Sequence, residues 1–303
     1  GKAAQQGILF RSTDAIESLS QVALIAFDKT GTLTVGKPHL SLFHVLPPFS
    51  SDDLLAQLAL VEQRSEHPLA TAIVDAAAKG PKSPLTVTSF NAIAGAGVEA
   101  ELSNGHAIII GSEKMMRERR IDTSSLDAQV ADAMSEGSGY FFAAVNGSLA
   151  AIMIVSDPIK PSTPSAVEHL KQSGYEVALI SGDNERTALS IADRCGIPAT
   201  MVYAEVRPND KADVVYTLKR DGRRVAFVGD GLNDAPALTI ADVGIAMGTG
   251  TDLAIESADV IAMSGDIQNI PRAISLSKAV MLNIKQNLGW AFGYNVLLIP
   301  IAT

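Results

Sequence analysis

Asp28, Lys211, Asp230 and Asp234 are the residues whose types and surroundings suit phosphoryl transfer and cation binding. Asp28 opens the run Asp28-Lys29-Thr30-Gly31-Thr32-Leu33-Thr34, directly after an apolar stretch over 22–27. A carboxylate placed there can be a covalent nucleophile, a metal ligand or both. A strand-end Asp on its own is more often the cap of the next helix, so the reading depends on partners elsewhere. Gly229-Asp230-Gly231-Leu232-Asn233-Asp234 supplies two more carboxylates in one small loop, an oxygen donor set that suits Mg²⁺ with room for waters. A Gly-Asp-Gly turn by itself would be structural. Lys211, in Asn209-Asp210-Lys211-Ala212-Asp213, can neutralise charge on a phosphoryl group, although a helical lysine is ordinarily a solvated surface residue. Ser181-Gly182-Asp183-Asn184 offers a hydroxyl and backbone N–H groups at a helix start, where phosphate oxygens bind.

Parallel strand ends are the elements that would bring these residues together. The stretch 22–27 is apolar throughout, as in a strand buried on both faces of a parallel sheet. In open α/β sheets, ligands bind outside the carboxyl ends of the strands. From residue 157 onward the pattern predicts strands over 176–180, 201–203, 224–228, 243–247 and 260–262, alternating with helices over 161–173, 185–195 and 210–221. Residues 38–155 have a different texture. They read as strands over 40–46, 86–91, 97–102, 106–111, 140–145 and 148–155, with helices over 51–61, 68–79, 113–119 and 126–136 on one side. Asn104-Gly105 and Asn146-Gly147 are hairpin signals, so this stretch is expected to be an antiparallel α+β module. The expected class is α/β: a doubly wound parallel sheet over 21–37 and 156–270, split by an inserted antiparallel domain over 38–155.

Residues 1–20 are expected to form a connector of two short helices joined by a linker, the second around Ser12 to Leu19. Residues 271–303 read as a long helix running into the apolar stretch 288–302, with Lys278 and Lys285 before it as on a cytoplasmic flank. A full span needs about twenty residues. The expectation is a transmembrane helix cut short by the end of the chain, with a buried core helix as the alternative. Gly1 in place of an initiating Met suggests a beginning inside a longer protein.

With 303 residues, 47% hydrophobic content and a mean hydropathy of +0.20, the chain has material for two cores. A net charge of −9 and a pI of about 5.0 suggest no polyanion partner, and no nucleic acid is expected. The single cysteine, Cys195, excludes an internal disulfide and a thiolate metal cluster; it fits a packing role in a reducing, cytosolic setting. No cleavable signal-peptide pattern opens the chain.

The seven residues Asp28 to Thr34 resemble the phosphorylation motif of P-type ATPases, part of the wider haloacid dehalogenase-like superfamily. Gly229 to Leu238 resembles the hinge motif of the same family, and Asp157-Pro158-Ile159-Lys160-Pro161 the segment where its inserted domain returns. Ser181 stands where the family usually has Thr, and the hydroxyl is kept. The resemblance implies that Asp28 is phosphorylated by ATP. It also implies Mg²⁺ on Asp28, the Thr30 carbonyl, Asp230 and Asp234, a clamp of Lys211 and Ser181, and phosphate or hinge roles for Gly182 and Asn233. Phosphatases of the superfamily carry a second Asp two residues after the first as acid and base. Thr30, which cannot take a water proton near neutral pH, holds that position here, so an aspartyl phosphate should persist as a pump requires.

Ser65-Glu66-His67-Pro68-Leu69 resembles the nucleotide-domain signature of the heavy-metal-transporting P-type ATPases, and Gly95-Ala96-Gly97 and Gly111 match glycines of that subfamily. ATP bound by Glu62, His67, Gly95, Gly97 and Gly111, with Asp183 also on the nucleotide, is what this implies. Read from the residues alone, a His-Pro is a helix cap and a Gly-x-Gly a weak signal. Asn283 to Asn287 followed by Tyr294-Asn295 resembles the membrane signature of the copper(I) branch; the zinc/cadmium branch has a Lys there. Tyr294 and Asn295 are thereby implied as groups facing the transported metal; the Asn could equally bond packed helices. The implied function is ATP-driven copper(I) transport by a multi-pass membrane protein, of which this part is mostly cytoplasmic. Its actuator and remaining transmembrane segments would belong to the same polypeptide. A zinc/cadmium pump and a soluble haloacid dehalogenase-like phosphatase with a cap domain are the alternatives.

Overall fold

A computed structural model describes residues 7–65, 68–220 and 222–302. The chain divides into two compact units, one from the residues up to Val35 together with those from Ile159 onward, the other Gly36–Pro158. In chain order the strands are β1 (Ile8–Phe10) and β2 (Leu24–Asp28) in the first unit. Then come β3 (His39–Val45), β4 (Val87–Ile93), β5 (Gly97–Leu102), β6 (Ala107–Gly111), β7 (Gly139–Val145) and β8 (Ser148–Ser156) in the second. The first unit resumes with β9 (Glu176–Ile180), β10 (Val202–Tyr203), β11 (Val225–Gly229), β12 (Val243–Met247) and β13 (Val260–Ala262).

The sheet of the first unit runs β1-β13-β12-β11-β2-β9-β10, parallel except for β1. Its central strands are apolar at successive positions because both faces are covered. Ile25 and Phe27 pack with Leu19, Val167, Leu170 and Ile274 on one side, and Leu24 and Ala26 with Val215, Leu218 and Leu238 on the other. From β2 the chain proceeds to β9 and β10 on one flank, then to β11, β12 and β13 on the other. The order therefore reverses beside β2, and a crevice opens at the carboxyl ends of β2 and β11. Cys195 ends the helix Glu185–Cys195, buried, its thiol pushed up to about 11 by burial. It is a packing residue.

The start of the chain corrects one expectation. Ile8–Phe10 is a strand, antiparallel to β13, and Arg11 N–H adds a bond to the Asp259 carbonyl at 3.0 Å. The open edge of β13 offers unpaired backbone groups that this short apolar run satisfies, and a ladder is preferred to an isolated helical turn. A helix follows at Thr13–Ser20, capped by Ser12 Oγ, which accepts from Ala15 N–H. At the other end, Asn269–Ala302 is one helix of 34 residues that exposes Leu288, Trp290 and Phe292. No helix among the described residues is long and apolar enough to cross a membrane.

The second unit is an antiparallel sheet ordered β3-β8-β7-β6-β5-β4. Helices Ser51–Glu62 and Pro68–Ala77 cover one face, where Leu54, Leu58, Val61 and Ile73 meet Val98, Ile110, Ala143 and Met153. Helices Glu113–Glu118 and Asp127–Ser135 belong to the opposite face, where Met116, Leu126 and Ala133 meet Phe142, Ala144 and Ile152. Helices were expected on one side only. β7 and β8, buried at consecutive positions, require cover on both. At the ends of this unit the Asp157 carboxylate accepts from Gly36 N–H at 2.9 Å and Lys37 N–H at 3.2 Å.

Candidate active site

Three carboxylates converge in the crevice of the first unit. Asp28 ends β2, Asp230 follows β11, and Asp234 closes a short turn at Leu232–Asp234; one oxygen of each lies within 4.8 Å of the others. Lys211, first residue of the helix Lys211–Leu218, donates from Nζ to Asp28 Oδ1 at 2.6 Å and to Asp234 Oδ1 at 2.7 Å. The other oxygen of Asp234 accepts from the N–H groups of Asp230 at 3.2 Å and Gly231 at 3.0 Å. Asp28, Lys211 and Asp234 are all buried, Asp234 to 1% exposure. Burial, with Asp234 close by, outweighs the lysine and raises Asp28 to about 7. Burial alone would lower Lys211; the two carboxylates outweigh it and hold the ammonium above its ordinary value.

The turn after Asp28 is fixed by its own hydroxyls. Thr34 Oγ1 accepts from Gly31 N–H at 3.3 Å and donates to the Lys29 carbonyl at 3.0 Å. A planar trans peptide sets C=O opposite N–H, so the Thr30 carbonyl points away from Thr34. Gly31 has φ of +72°, and a Cβ built on it would lie 1.6 Å from Asp230 Oδ2. Glycine is required there twice over, for the left-handed backbone and for the space beside Asp230. Thr30 is exposed.

Ser181 follows β9, buried, its Oγ accepting from Asp183 N–H at 3.1 Å. Asp183 pairs with Lys29 Nζ at 2.7 Å, within the unit that holds Asp28. Thr30, Gly182 and Asn233 line the same 330 Å³ cavity as Asp28, Lys211 and Asp230. One part of the site was missed in the sequence. Thr251 N–H donates to the Asp230 carbonyl at 2.8 Å, and a Cβ on Gly250 would come within 2.5 Å of that oxygen. The alternation Gly248-Thr249-Gly250-Thr251 directly after β12 was the available signal.

In the second unit a cavity of 420 Å³ lies between one sheet face, with Val98, Ile110 and Phe141, and the helix residues Glu62 and Ile73. Glu62 ends its helix, is buried, and has no hydrogen-bond partner for Oε2. Burial raises its carboxyl, a Ser65 hydrogen bond opposing. An unpartnered carboxyl oxygen in an apolar cavity is a place for a donor on a ligand. Gly95, at φ +72°, and Gly97, at φ +149°, form part of its wall. A Cβ on Gly97 would fall 2.1 Å from the Ile110 carbonyl. Gly111 pairs with Gly97 across β5 and β6, and there a Cβ would meet Met115 Sδ at 2.4 Å. Gly111 thus serves close packing and does not line the cavity. Phe141, half-buried on the wall, was hidden in an apolar strand. His67 and the side chains of Tyr294 and Asn295 lie outside what is described.

A haloacid dehalogenase-like hydrolase model matches residues 22–242, and a second model of the same description matches 211–274. Copper-transporting ATPase 1 of Rhizobium meliloti (strain 1021) is 50% identical over 302 residues, 100% of this chain and 36% of that protein. A copper-exporting P-type ATPase of Legionella pneumophila is 45% identical, over 100% of this chain and 40% of that protein. The chain therefore spans little more than a third of these relatives. A zinc-transporting PIB-type ATPase in an E2.Pi state superposes with a TM-score of 0.80 at 34% identity, covering 98% of this chain and 48% of that one. The catalytic domain of the CPx-ATPase CopB-B superposes with a TM-score of 0.70 at 31% identity, over 90% of this chain and 97% of that one. With a family model across most of its length and a CPx-ATPase catalytic domain covered almost whole, the chain belongs to the haloacid dehalogenase-like hydrolases, in the branch formed by the catalytic part of the heavy-metal P-type ATPases.

Proposed function

We propose that this chain is the ATP-binding and phosphoryl-accepting part of a membrane pump for copper(I). The observation that carries the reading is Asp28 at the sheet's switch point, bonded to Lys211 and grouped with Asp230 and Asp234, while Thr30 holds the place of a phosphatase's acid-base residue. An Asp28 carboxylate oxygen attacks the γ-phosphorus of ATP. The new O–P bond forms as the bond to the bridging oxygen breaks, and ADP leaves with the electron pair. Lys211 and the Ser181 hydroxyl hold the equatorial oxygens; removing one such donor typically costs about 2.7–4 kcal/mol of transition-state stabilisation. Gly182 and Asn233 shape the phosphate cavity.

The converging carboxylates, an oxygen-only donor set, fit Mg²⁺, with Asp28, Asp230 and the Thr30 carbonyl as its holders. Asp234, already engaged by Lys211 and two N–H groups, orients the loop and stands close enough to join them. Bound there, Mg²⁺ would neutralise phosphate oxygens and offset the mutual repulsion of the carboxylates.

In the insert, Glu62, His67, Gly95 and Gly97 are assigned to ATP. Glu62→Ala should weaken ATP binding by about 1–3 kcal/mol, the range for losing a buried polar partner. Calorimetric titration checks it, and unchanged affinity in a folded variant would remove Glu62 from the site. Copper(I) as cargo is supported by the names and identities of the relatives; the zinc-transporting neighbour keeps the divalent-metal alternative in view. Sulfur ligands would supply most of the binding of a soft cation, with Tyr294 and Asn295 adding polar groups at membrane depth. In membranes carrying the full-length gene product, phosphorylation by labelled ATP should be stimulated by copper(I) and silver(I) and little by zinc. Stronger stimulation by zinc would reassign the cargo and leave the phosphoryl chemistry in place.

A further inference from the structure

Lys160 stands in the segment that re-enters the first unit, and its ammonium joins two turns. Nζ donates to the Gly31 carbonyl at 2.5 Å and to the Gly265 carbonyl at 3.1 Å. Both acceptors belong to left-handed glycines, with φ of +72° and +67°. The backbone around it grips the same turn. Lys160 N–H donates to the Leu33 carbonyl at 3.0 Å, Thr163 Oγ1 donates to that carbonyl at 2.8 Å, and Thr34 pairs with Ile159. On the far side, a Cβ on Gly265 would come within 2.8 Å of Thr249 Cγ2, so its turn packs on the loop whose Thr251 N–H holds the Asp230 carbonyl. Gly31 meanwhile leaves no room for a methyl beside Asp230 Oδ2, so any shift of its turn is passed to that carboxylate.

We infer that Lys160 is a positioning residue for phosphoryl transfer, a strut that sets the Gly31 turn against the Asp230 loop and so fixes the separation of Asp28 and Asp230. Lysine suits the task because its three donors sit on a flexible stem and can serve two carbonyls at once. The inference rests on the reading of Asp28 as the phosphoryl acceptor. A misplacement of about 1 Å can cost on the order of a hundredfold in rate without weakening substrate binding.

Lys160→Met and Lys160→Arg in the full-length gene product test it by phosphoprotein formation, by ATP affinity, and by the rise in thermal midpoint that Mg²⁺ produces without nucleotide. Lys160→Met should phosphorylate at least about tenfold more slowly, as misplacement predicts, and show a smaller Mg²⁺-induced rise, with ATP affinity unchanged. Lys160→Arg, which can still reach a carbonyl, should recover most of both. A Lys160→Met protein with normal rate and normal Mg²⁺ response overturns the inference, as does one whose rate falls with no change in that response. If Lys160→Met does not fold, Lys160→Gln decides: a slower rate with a smaller Mg²⁺-induced rise supports the inference, and a protein equal to wild type in both overturns it. Failure of the wild-type protein to form phosphoprotein would overturn the reading of Asp28 instead.

Discussion

Asp28→Asn leaves no acid-stable phosphoprotein when the full-length gene product is incubated with Mg²⁺ and labelled ATP. The amide matches the carboxylate in shape but has no anionic oxygen to form an acyl phosphate, and removing a covalent nucleophile typically costs on the order of 10⁶ in rate. The fold should be untouched. Asp28 is raised to about 7 by burial and by Asp234, so in the absence of Mg²⁺ a neutral amide there should be at least as stable as the carboxylate above that pH. Nucleotide binding by Glu62 and its neighbours should also persist. Hydroxylamine-sensitive label surviving in the variant would assign the acceptor to another residue.

Lys211→Met has the largest expected effect on stability. It removes a cation bonded to both Asp28 and Asp234 and leaves two buried carboxylates facing each other, a change that typically costs about 3–5 kcal/mol. The sign with pH follows from Asp28. Its folded pKa of about 7 lies above the ordinary 3.8, so the associated stability is complete below 3.8 and is lost as pH rises through 7. Loss of Lys211 removes an influence that lowers that pKa, so the losing range extends further toward alkaline pH. The gap between variant and wild type should therefore be small near pH 5 and wide near pH 8, in urea unfolding without Mg²⁺. A gap equal at the two pH values would show that Lys211 does not compensate these carboxylates.

Parallel strands were the most legible part of the fold. Glu176–Ile180, Val243–Met247 and Val260–Ala262 have the expected bounds, and Leu24–Asp28 lies two residues inside the expected start and one beyond the expected end; each is dominated by apolar residues because both faces are covered. Ile8–Phe10 was not legible because nothing within three residues reports that the partner is β13, near the other end of the chain. The second helix layer of the insert was missed for a similar reason. Phe142 and Ala144 alternate with Ala143 and Val145 as any strand does, and only the packed structure shows that both faces are dry. In the candidate site, Asp28, Asp230 and Asp234 stood out because strand ends and glycines frame them, whereas Lys211 at a helix start had no such frame. Gly250, Thr251, the partnership of Lys29 with Asp183 and the span of Lys160 all depend on which loops touch, and loop contacts leave no periodic trace.

Asp157 makes neighbours of the two ends of the insert by binding Gly36 and Lys37. Closing residues 36–158 as a flexible loop would cost about 4 kcal/mol in chain entropy, against about 1 kcal/mol for a connection of roughly four residues. Once the insert has folded, its ends are already together, and the surrounding sheet meets only the smaller cost. β2 and β9, which lie side by side although the whole insert separates them in sequence, can then pair as if joined by an ordinary crossover. The length of the inserted domain is thereby uncoupled from the stability of the sheet that carries it.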